Sequence, residues 1–247
     1  MNLQFRPMPW LTGIVAVMLA ILISLGVWQY QRLQWKTNLL AEVEASVTAP
    51  PLTSLDDLDR AISAGEPVDF RRIELTGIVG GEIYEYHVFK SQAGGIFWDV
   101  FRPFQSKKSK QTRVIFVRTQ TIDNAQKGED NFERLIRYEL EPVYGYVRED
   151  HPMGRVEAWV KSKPNRQTNR WFKFNQDGSW GEALSSKTIR SHYVELDLNV
   201  ESANALPVRR PEIRNNHRDY MLTWFSFAFL LIIFYGLIHR RAGRLSW

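Results

Sequence analysis

No cysteine occurs among the 247 residues. That removes disulfides, thiolate metal sites and cysteine nucleophiles, and it leaves the redox compartment open. Catalytic signatures are missing too. Gly77, Gly80 and Gly81 do not form a phosphate-cradling loop at a helix start, and no HExxH zinc motif is present. Gly178-Ser179-Trp180-Gly181 has the wrong spacing for a nucleophile elbow. With no catalytic constellation to assemble, the chain reads as a non-enzyme. Histidine is scarce, at five residues. His87, His151 and His192 stand without a carboxylate or second histidine at ligand spacing and read as strand or loop residues. The net charge of +5 and pI near 9.4 come without a basic stripe of interleaved stacking aromatics, so nucleic acid is not an expected partner. There is no internal repeat or low-complexity tract.

Charge itself is absent from two long runs. Trp10 to Trp28 holds 19 uncharged residues and Met221 to Ile238 holds 18. As helices, each is long enough to cross a bilayer core of about 30 Å. The chain's mean hydropathy is nonetheless −0.32, which points to a water-soluble domain tethered at both ends. About 180 residues lie between the runs, enough to bury one core. The first run is too long for a signal-peptide core and no A-x-A pattern follows, so it reads as an uncleaved anchor with interfacial tryptophans at both ends. Arg6, Arg240, Arg241 and Arg244 place both termini in the cytoplasm of a bacterial inner membrane and the domain outside. Arg32, Lys36, Arg214 and Arg218 lie on the exported side and meet anionic lipid. His239, at the cytoplasmic end of the second run, reads as a snorkelling or lipid-facing residue. The expected organisation is a cytoplasmic N-terminus over 1–9, a first span over 10–30, a helical stalk over 31–48, an exported domain with linker over 49–214, a second span with polar lip over 215–238, and a cytoplasmic tail over 239–247.

The first helix should continue beyond the membrane. Leu33, Thr37, Leu40, Val43 and Val47 extend a helical stripe until Ala49-Pro50-Pro51 ends it. A helix from Trp10 to Val47 would measure about 55 Å. From Asp69 the texture becomes strand-like. Strands are expected at Arg71–Gly77, Ile83–Lys90, Ile96–Phe104, Val114–Thr119, Val143–Arg148, Val156–Lys161, Trp171–Asn175 and Tyr193–Leu198. Turns are expected at Gly94-Gly95 and Lys107–Lys110, and short helices at Phe132–Tyr138 and Ala183–Arg190. Closely spaced strands with few helices predict an antiparallel β-rich (α+β) barrel or sandwich between two transmembrane helices. Asn199–Pro211 reads as the linker back to the membrane.

The polar lip of the second span is the most informative stretch. Asn215 or Asn216 can cap the first turn. His217, Tyr220, Met221 and Trp224 follow at i, i+3, i+4 and i+7 and share a helix face. Trp28, Arg32, Trp35 and Lys36 share a face of the first helix at the same depth. One reading makes His217 an axial haem ligand, with its lone pair kept neutral by the positive helix end. Arg32, Lys36 and Arg218 then meet propionates, and the macrocycle lies against Tyr220 and Trp224. The other makes His217 an interfacial histidine that only caps or hydrogen-bonds, and makes Trp28, Trp35, Tyr220 and Trp224 an aromatic belt.

These stretches resemble a known family. Gly26-Val27-Trp28-Gln29-Tyr30-Gln31-Arg32-Leu33-Gln34-Trp35-Lys36 is similar to the G-x-W-Q-x-x-R-x-x-W-K signature of the surfeit-locus family of cytochrome c oxidase assembly factors. Asn215-Asn216-His217-Arg218-Asp219-Tyr220-Met221-Leu222-Thr223-Trp224-Phe225 resembles its N-N-H-x-x-Y-A-x-T-W-F segment. Phe70–Gly77 resembles its F-R-R-V-x-x-x-G strand, and Val143–Arg148 its V-x-G-x-L-R strand. The resemblance covers the chain in order. It implies two spans, one exported domain and a role in building haem–copper oxidases, alongside the catalytic subunit and other assembly factors. It also implies haem a as a cofactor, His217 as the candidate ligand, and Tyr220, Trp224, Trp28, Gln29 and Arg32 as motif residues around it. Two departures stand out. Phe116-Val117-Arg118-Thr119-Gln120 replaces the family's N-R-G-W-V, and Met221 replaces the alanine after the motif tyrosine. A cofactor-free chaperone or scaffold for oxidase subunits, and an envelope sensor or binding domain, remain alternative readings.

Overall fold

The structure, a computed structural model, describes residues 4–80, 85–92, 94–107, 113–125, 138–151, 154, 159, 163–180, 182, 188–212 and 214–246. In chain order the elements are β1 (Gln4–Phe5), α1 (Pro9–Thr48), α2 (Leu55–Ser63), β2 (Arg72–Val79), β3 (Tyr86–Gln92), β4 (Gly95–Ser106), β5 (Val114–Asp123), β6 (Tyr138–Glu149), β7 (Thr188–Asp197), α3 (His217–Arg241) and β8 (Leu245–Ser246). They fall into two compact units, Met1–Ala41 with Pro211–Trp247, and Glu42–Arg210.

The first unit is a pair of antiparallel helices. Proline is well tolerated in the first turn, where its missing N–H is not needed, and α1 starts at Pro9. It runs 40 residues without interruption, about 60 Å, and ends just before Pro50-Pro51. Only 6% of the most apolar window of each helix is buried. Ile14, Val17, Phe229 and Phe234 are exposed, so the helices are apolar on their outer faces as well as at their seam. Such helices need an apolar solvent around them. Between them, buried Gly26 allows close approach. A Cβ there would lie 2.7 Å from the Phe225 ring, as at the small-residue contacts of membrane helix pairs.

The end of the pair that carries β1 and β8 corrects one expectation. His239 does not face lipid; it is fully buried. Its Nδ1–H donates to the Tyr235 carbonyl at 2.9 Å, and its Nε2 accepts the Met8 N–H at 3.2 Å. Phe5 and Tyr235 pack on the ring, and the Tyr235 hydroxyl meets Thr12 Oγ1 at 2.7 Å. The chain ends close over this cluster, with β1 pairing antiparallel to β8. An imidazole in so apolar a place is affordable only because both nitrogens are used.

The second unit is a small barrel. The sheet order is β2-β6-β7-β5-β4-β3, and an extra β2–β4 pairing closes the first five strands on themselves. Closure removes most exposed edges. The pairings are antiparallel except β5–β7, which is parallel, so the expected all-antiparallel arrangement holds for every pairing but one. Gly77 and Gly145 sit where strands crowd; a Cβ would meet the Gln105 carbonyl oxygen at 2.1 Å and that of Glu195 at 2.4 Å. One core joins Ile73, Leu75, Phe104, Ile115, Val117 and Val147 to Leu55, Leu58 and Ala61 of α2. The sequence pattern had not suggested α2. It is started by Ser54, whose Oγ accepts the Asp57 N–H, while the Asp57 carboxylate accepts from the Thr53 and Ser54 hydroxyls. Strand alternation puts Phe116 on the opposite face from Ile115 and Val117. There a second, aromatic core gathers Phe101, Phe116, Trp171, Phe174 and Trp180.

Trp171–Asn175 is not a strand. Trp171 makes one bridge to Val88 and the rest is turn. Tyr138 and Thr188–Arg190 belong to strands rather than helices. The remainder of the expected helices, at 132–137 and 183–187, lies outside the described residues. So do residues 156–158 and 160–161 of an expected strand and residues 108–110 of an expected turn. Gly94 and Gly95 form the β3–β4 turn with φ of 114° and 154°.

Ion pairs cross the sheet. Lys90, Asp99, Arg118, Glu195, Arg148 and Asp69 alternate in sign from β3 through β4, β5, β7 and β6. Arg118, the residue left where the N-R-G-W-V segment is missing, sits mid-ladder between Asp99 and Glu195. His87 also differs from expectation, because it does have a carboxylate partner. Glu85 Oε1 is 2.5 Å from its Nε2, and buried Arg102 forks onto Glu85 Oε2. Burial pushes the Glu85 carboxyl up, but the His87 and Arg102 contacts more than offset it and hold it below the usual glutamate range. Its stabilising contribution is therefore complete at neutral pH and is lost as pH falls through that range and below. Glu85→Gln is expected to cost about 3 kcal/mol at pH 7, because Arg102 keeps a buried charge. In thermal unfolding of the two proteins, the gap should close as the buffer is taken to about pH 3. A gap that is constant with pH would show that Glu85 acts through packing alone.

Candidate functional site

His217 is the first residue of α3, with Asn216 at the cap position. Neither asparagine caps the helix through its side chain. Asn216 makes no such bond, and Asn215 Oδ1 is buried with no partner among the described residues. The first-turn N–H groups therefore keep their positive character without a side-chain oxygen to quench it.

The imidazole is held from the other helix. His217 Nδ1 lies 2.7 Å from Oε1 of Gln29. Gln29 is 8% exposed, on the seam side of α1. An amide oxygen only accepts, so this contact requires a proton on Nδ1 and leaves Nε2 facing away from Gln29. Among the described residues Nε2 has no hydrogen-bond partner, in contrast to His239, whose Nε2 takes a backbone N–H. Trp28 presents its ring edge-on to the imidazole, 6.4 Å between centroids at 84°. One turn toward the stalk, the Arg32 guanidinium lies over Trp35 at 3.9 Å. Lys36 Nζ donates to the carbonyl oxygen of Arg214, which ties the chain ahead of α3 to α1.

The structure thus gathers His217, Gln29 and Trp28, and places Arg32 and Lys36 beyond them. Arg218 is exposed on the first turn of α3. Tyr220, one turn on from His217, is 54% exposed. Trp224 is half-buried two turns down and packs edge-on against Phe227. His217, Tyr220, Met221 and Trp224 lie along one continuous helix at positions that share a face, with Tyr220 the most exposed of the four. Sequence reasoning missed the Gly26–Phe225 approach, the Lys36–Arg214 tie and the orphaned Asn215 oxygen. A glycine one turn before the motif glutamine was the available signal for the first.

Elsewhere, His192 is buried beside Ser191, whose Oγ is 2.8 Å from Nδ1. Burial pushes its pKa down, which keeps it neutral at physiological pH. Among the described residues no three His, Asp or Glu side chains gather as a metal cage.

Known proteins place this geometry. The chain is 26% identical to a SURF1-like protein of Rickettsia felis, over 92% of this chain and 96% of the relative. It is 32% identical to a SURF1-like protein of Caenorhabditis briggsae, over 97% and 78%. It is 23% identical to the cytochrome oxidase assembly protein SHY1 of Saccharomyces cerevisiae, over 94% and 76%. The family model described as the SURF1 family matches residues 16–229, from the first apolar run to the middle of the second. A membrane protein of two apolar helices flanking a closed β domain, with matched motifs on both helices, this chain belongs to the SURF1 family.

Proposed function

We propose that this protein is a non-enzymatic assembly factor for a haem–copper terminal oxidase, and that it holds haem a as cargo at the polar lip of its two membrane helices. The carrying observation is the His217–Gln29 contact, which joins the two motifs and leaves Nε2 of His217 free to meet iron. The donor set fits the cargo. The His217 imidazole would hold the iron through Nε2, and an uncapped helix start with Arg32 and Arg218 nearby suits anionic propionates. Trp28, with Tyr220 and Trp224 farther out, offers flat apolar surface. The haem supplies the iron and the ring to be handed on; the protein's side chains orient it and shield it from water. The name of the yeast relative, a cytochrome oxidase assembly protein, supports the process. The partners would be the catalytic oxidase subunit and other assembly factors. The location would be the bacterial inner membrane, with both termini cytoplasmic and the β domain exported.

Terminal-oxidase activity and the haem a absorption band in membranes lacking this protein test the proposal. Both are expected to fall, to return with the wild-type chain, and to stay low with His217→Ala. Full rescue by His217→Ala would favour a cofactor-free scaffold for oxidase subunits. Unchanged oxidase in the deletion would overturn the assembly role.

A further inference from the structure

Each end of the helix seam carries a histidine whose Nδ1 faces an oxygen acceptor. At the end with β1 and β8, Nδ1–H of His239 is bound by the Tyr235 carbonyl and Nε2 is spent on the Met8 N–H. At the other end, Nδ1 of His217 is bound by a side chain, Gln29, that comes from the opposite helix 188 positions away. We propose that Gln29 is a positioning residue that fixes the His217 tautomer, so that Nε2 is the atom offered at the lip.

Three observations carry this. Free histidine side chains prefer the proton on Nε2, so an Nδ1–H ring needs an acceptor to hold it there. Gln29 Oε1 is that acceptor, at 2.7 Å, and its burial protects the bond from competition by water. Trp28, adjacent in the chain, stands edge-on beside the imidazole. Gly26 lets α1 come close enough for the amide to reach, because any Cβ there would press on Phe225. The residues Gly26, Trp28 and Gln29 thus act as one unit: approach, wall and acceptor. A histidine bound by iron through one nitrogen normally has its other nitrogen oriented in this way by a neighbour. The inference rests on the haem reading only for its consequence, not for the tautomer itself.

The test uses the full chain in detergent micelles, labelled with ¹⁵N-histidine. Long-range ¹H–¹⁵N correlation distinguishes Nδ1–H from Nε2–H rings, and His217→Ala identifies the His217 signals by their loss. Wild type is expected to show Nδ1–H at His217, and Gln29→Leu to show Nε2–H. Gln29→Glu keeps an acceptor and should keep Nδ1–H, with the His239 signals unchanged in both variants as a control on helix pairing. An Nε2–H ring in the wild type, or no change in Gln29→Leu, overturns the proposal. Added haem a gives a second readout. Gln29→Leu should retain it about 10-fold more weakly than wild type, with Gln29→Glu near wild type. Equal retention in Gln29→Leu would also overturn the proposal. A wild type that shows the Nδ1–H tautomer but retains no haem a would instead remove the haem reading and leave Gln29 as the residue that sets the ring.

Discussion

His217→Ala is expected to abolish haem a retention by the purified protein, weakening it by more than about 100-fold. Outer partners of a metal-bound histidine typically command 10–100-fold, and here the proposed ligand itself is removed. The effect should be local. The helices keep the Gly26–Phe225 approach, the Thr12–Tyr235 contact and the His239 cluster, none of which involves His217. Gln29 would lose its partner, at a cost of about 1–3 kcal/mol for a buried polar group left unpaired. His217→Gln addresses that cost, because its amide can meet Gln29 while offering no imidazole. Both variants should therefore lose the Soret band together, while the β domain unfolds at the wild-type temperature. Retention of haem by His217→Gln would show that the amide contact, rather than the imidazole, is what the lip requires.

The second large effect is expected in the β domain. Trp180 is fully buried and stacks on Tyr86, with ring centroids 4.1 Å apart at 20°. It also meets Phe101, Phe116, Trp171 and Phe174 at centroid distances of 5.1 to 5.7 Å. It belongs to a segment that the sheet holds by few backbone bonds, chiefly the bridge between Val88 and Trp171. Rings therefore do most of the fastening. Trp180→Ala should destabilise the domain by about 3–5 kcal/mol, a large part of the roughly 5–15 kcal/mol that ordinary domains possess. Thermal unfolding should drop by about 10 °C or more, with loss of near-ultraviolet dichroism from the aromatic cluster before the far-ultraviolet sheet signal goes. The first core, in which α2 packs on Ile73, Leu75 and Val147, lies on the other face of the strands and should outlast it. A single transition at the wild-type temperature would show that the aromatic core contributes little. Among the described residues its indole Nε1 has no hydrogen-bond partner, so Trp180→Phe should cost much less than alanine.

Much of the fold was readable along the chain because it is local. Charge-free runs mark the two membrane helices, and a stripe from Leu33 to Val47 marks the continuation of α1 to Pro50. Alternation of apolar and polar residues marks most strands, since both periodicities repeat within a few residues. The misses have physical causes too. α2 is nine residues long and its sequence, Leu55–Ser63, carries as many charged as apolar side chains, so its buried stripe of Leu55, Leu58 and Ala61 is thin. Trp171–Asn175 has the residue types of a strand, but its aromatics serve a packed cover rather than a ladder. His239 looked lipid-facing because neither the returning N-terminal segment nor the Met8 N–H is visible from its neighbours in the sequence.

The two apolar helices, the β-rich middle and a histidine at the start of the last helix could all be read along the chain. These follow from residue type and short-range period, which the backbone reads locally. Only the tertiary structure decided that Gln29 meets His217, that β2 closes on β4, that β5 runs parallel to β7 and that Arg118 joins Asp99 to Glu195. Each of these is a meeting of side chains or strands distant in the chain. Which ones meet depends on helix rotation, strand register and close approach at Gly26, Gly77 and Gly145, none of which a one-dimensional pattern encodes.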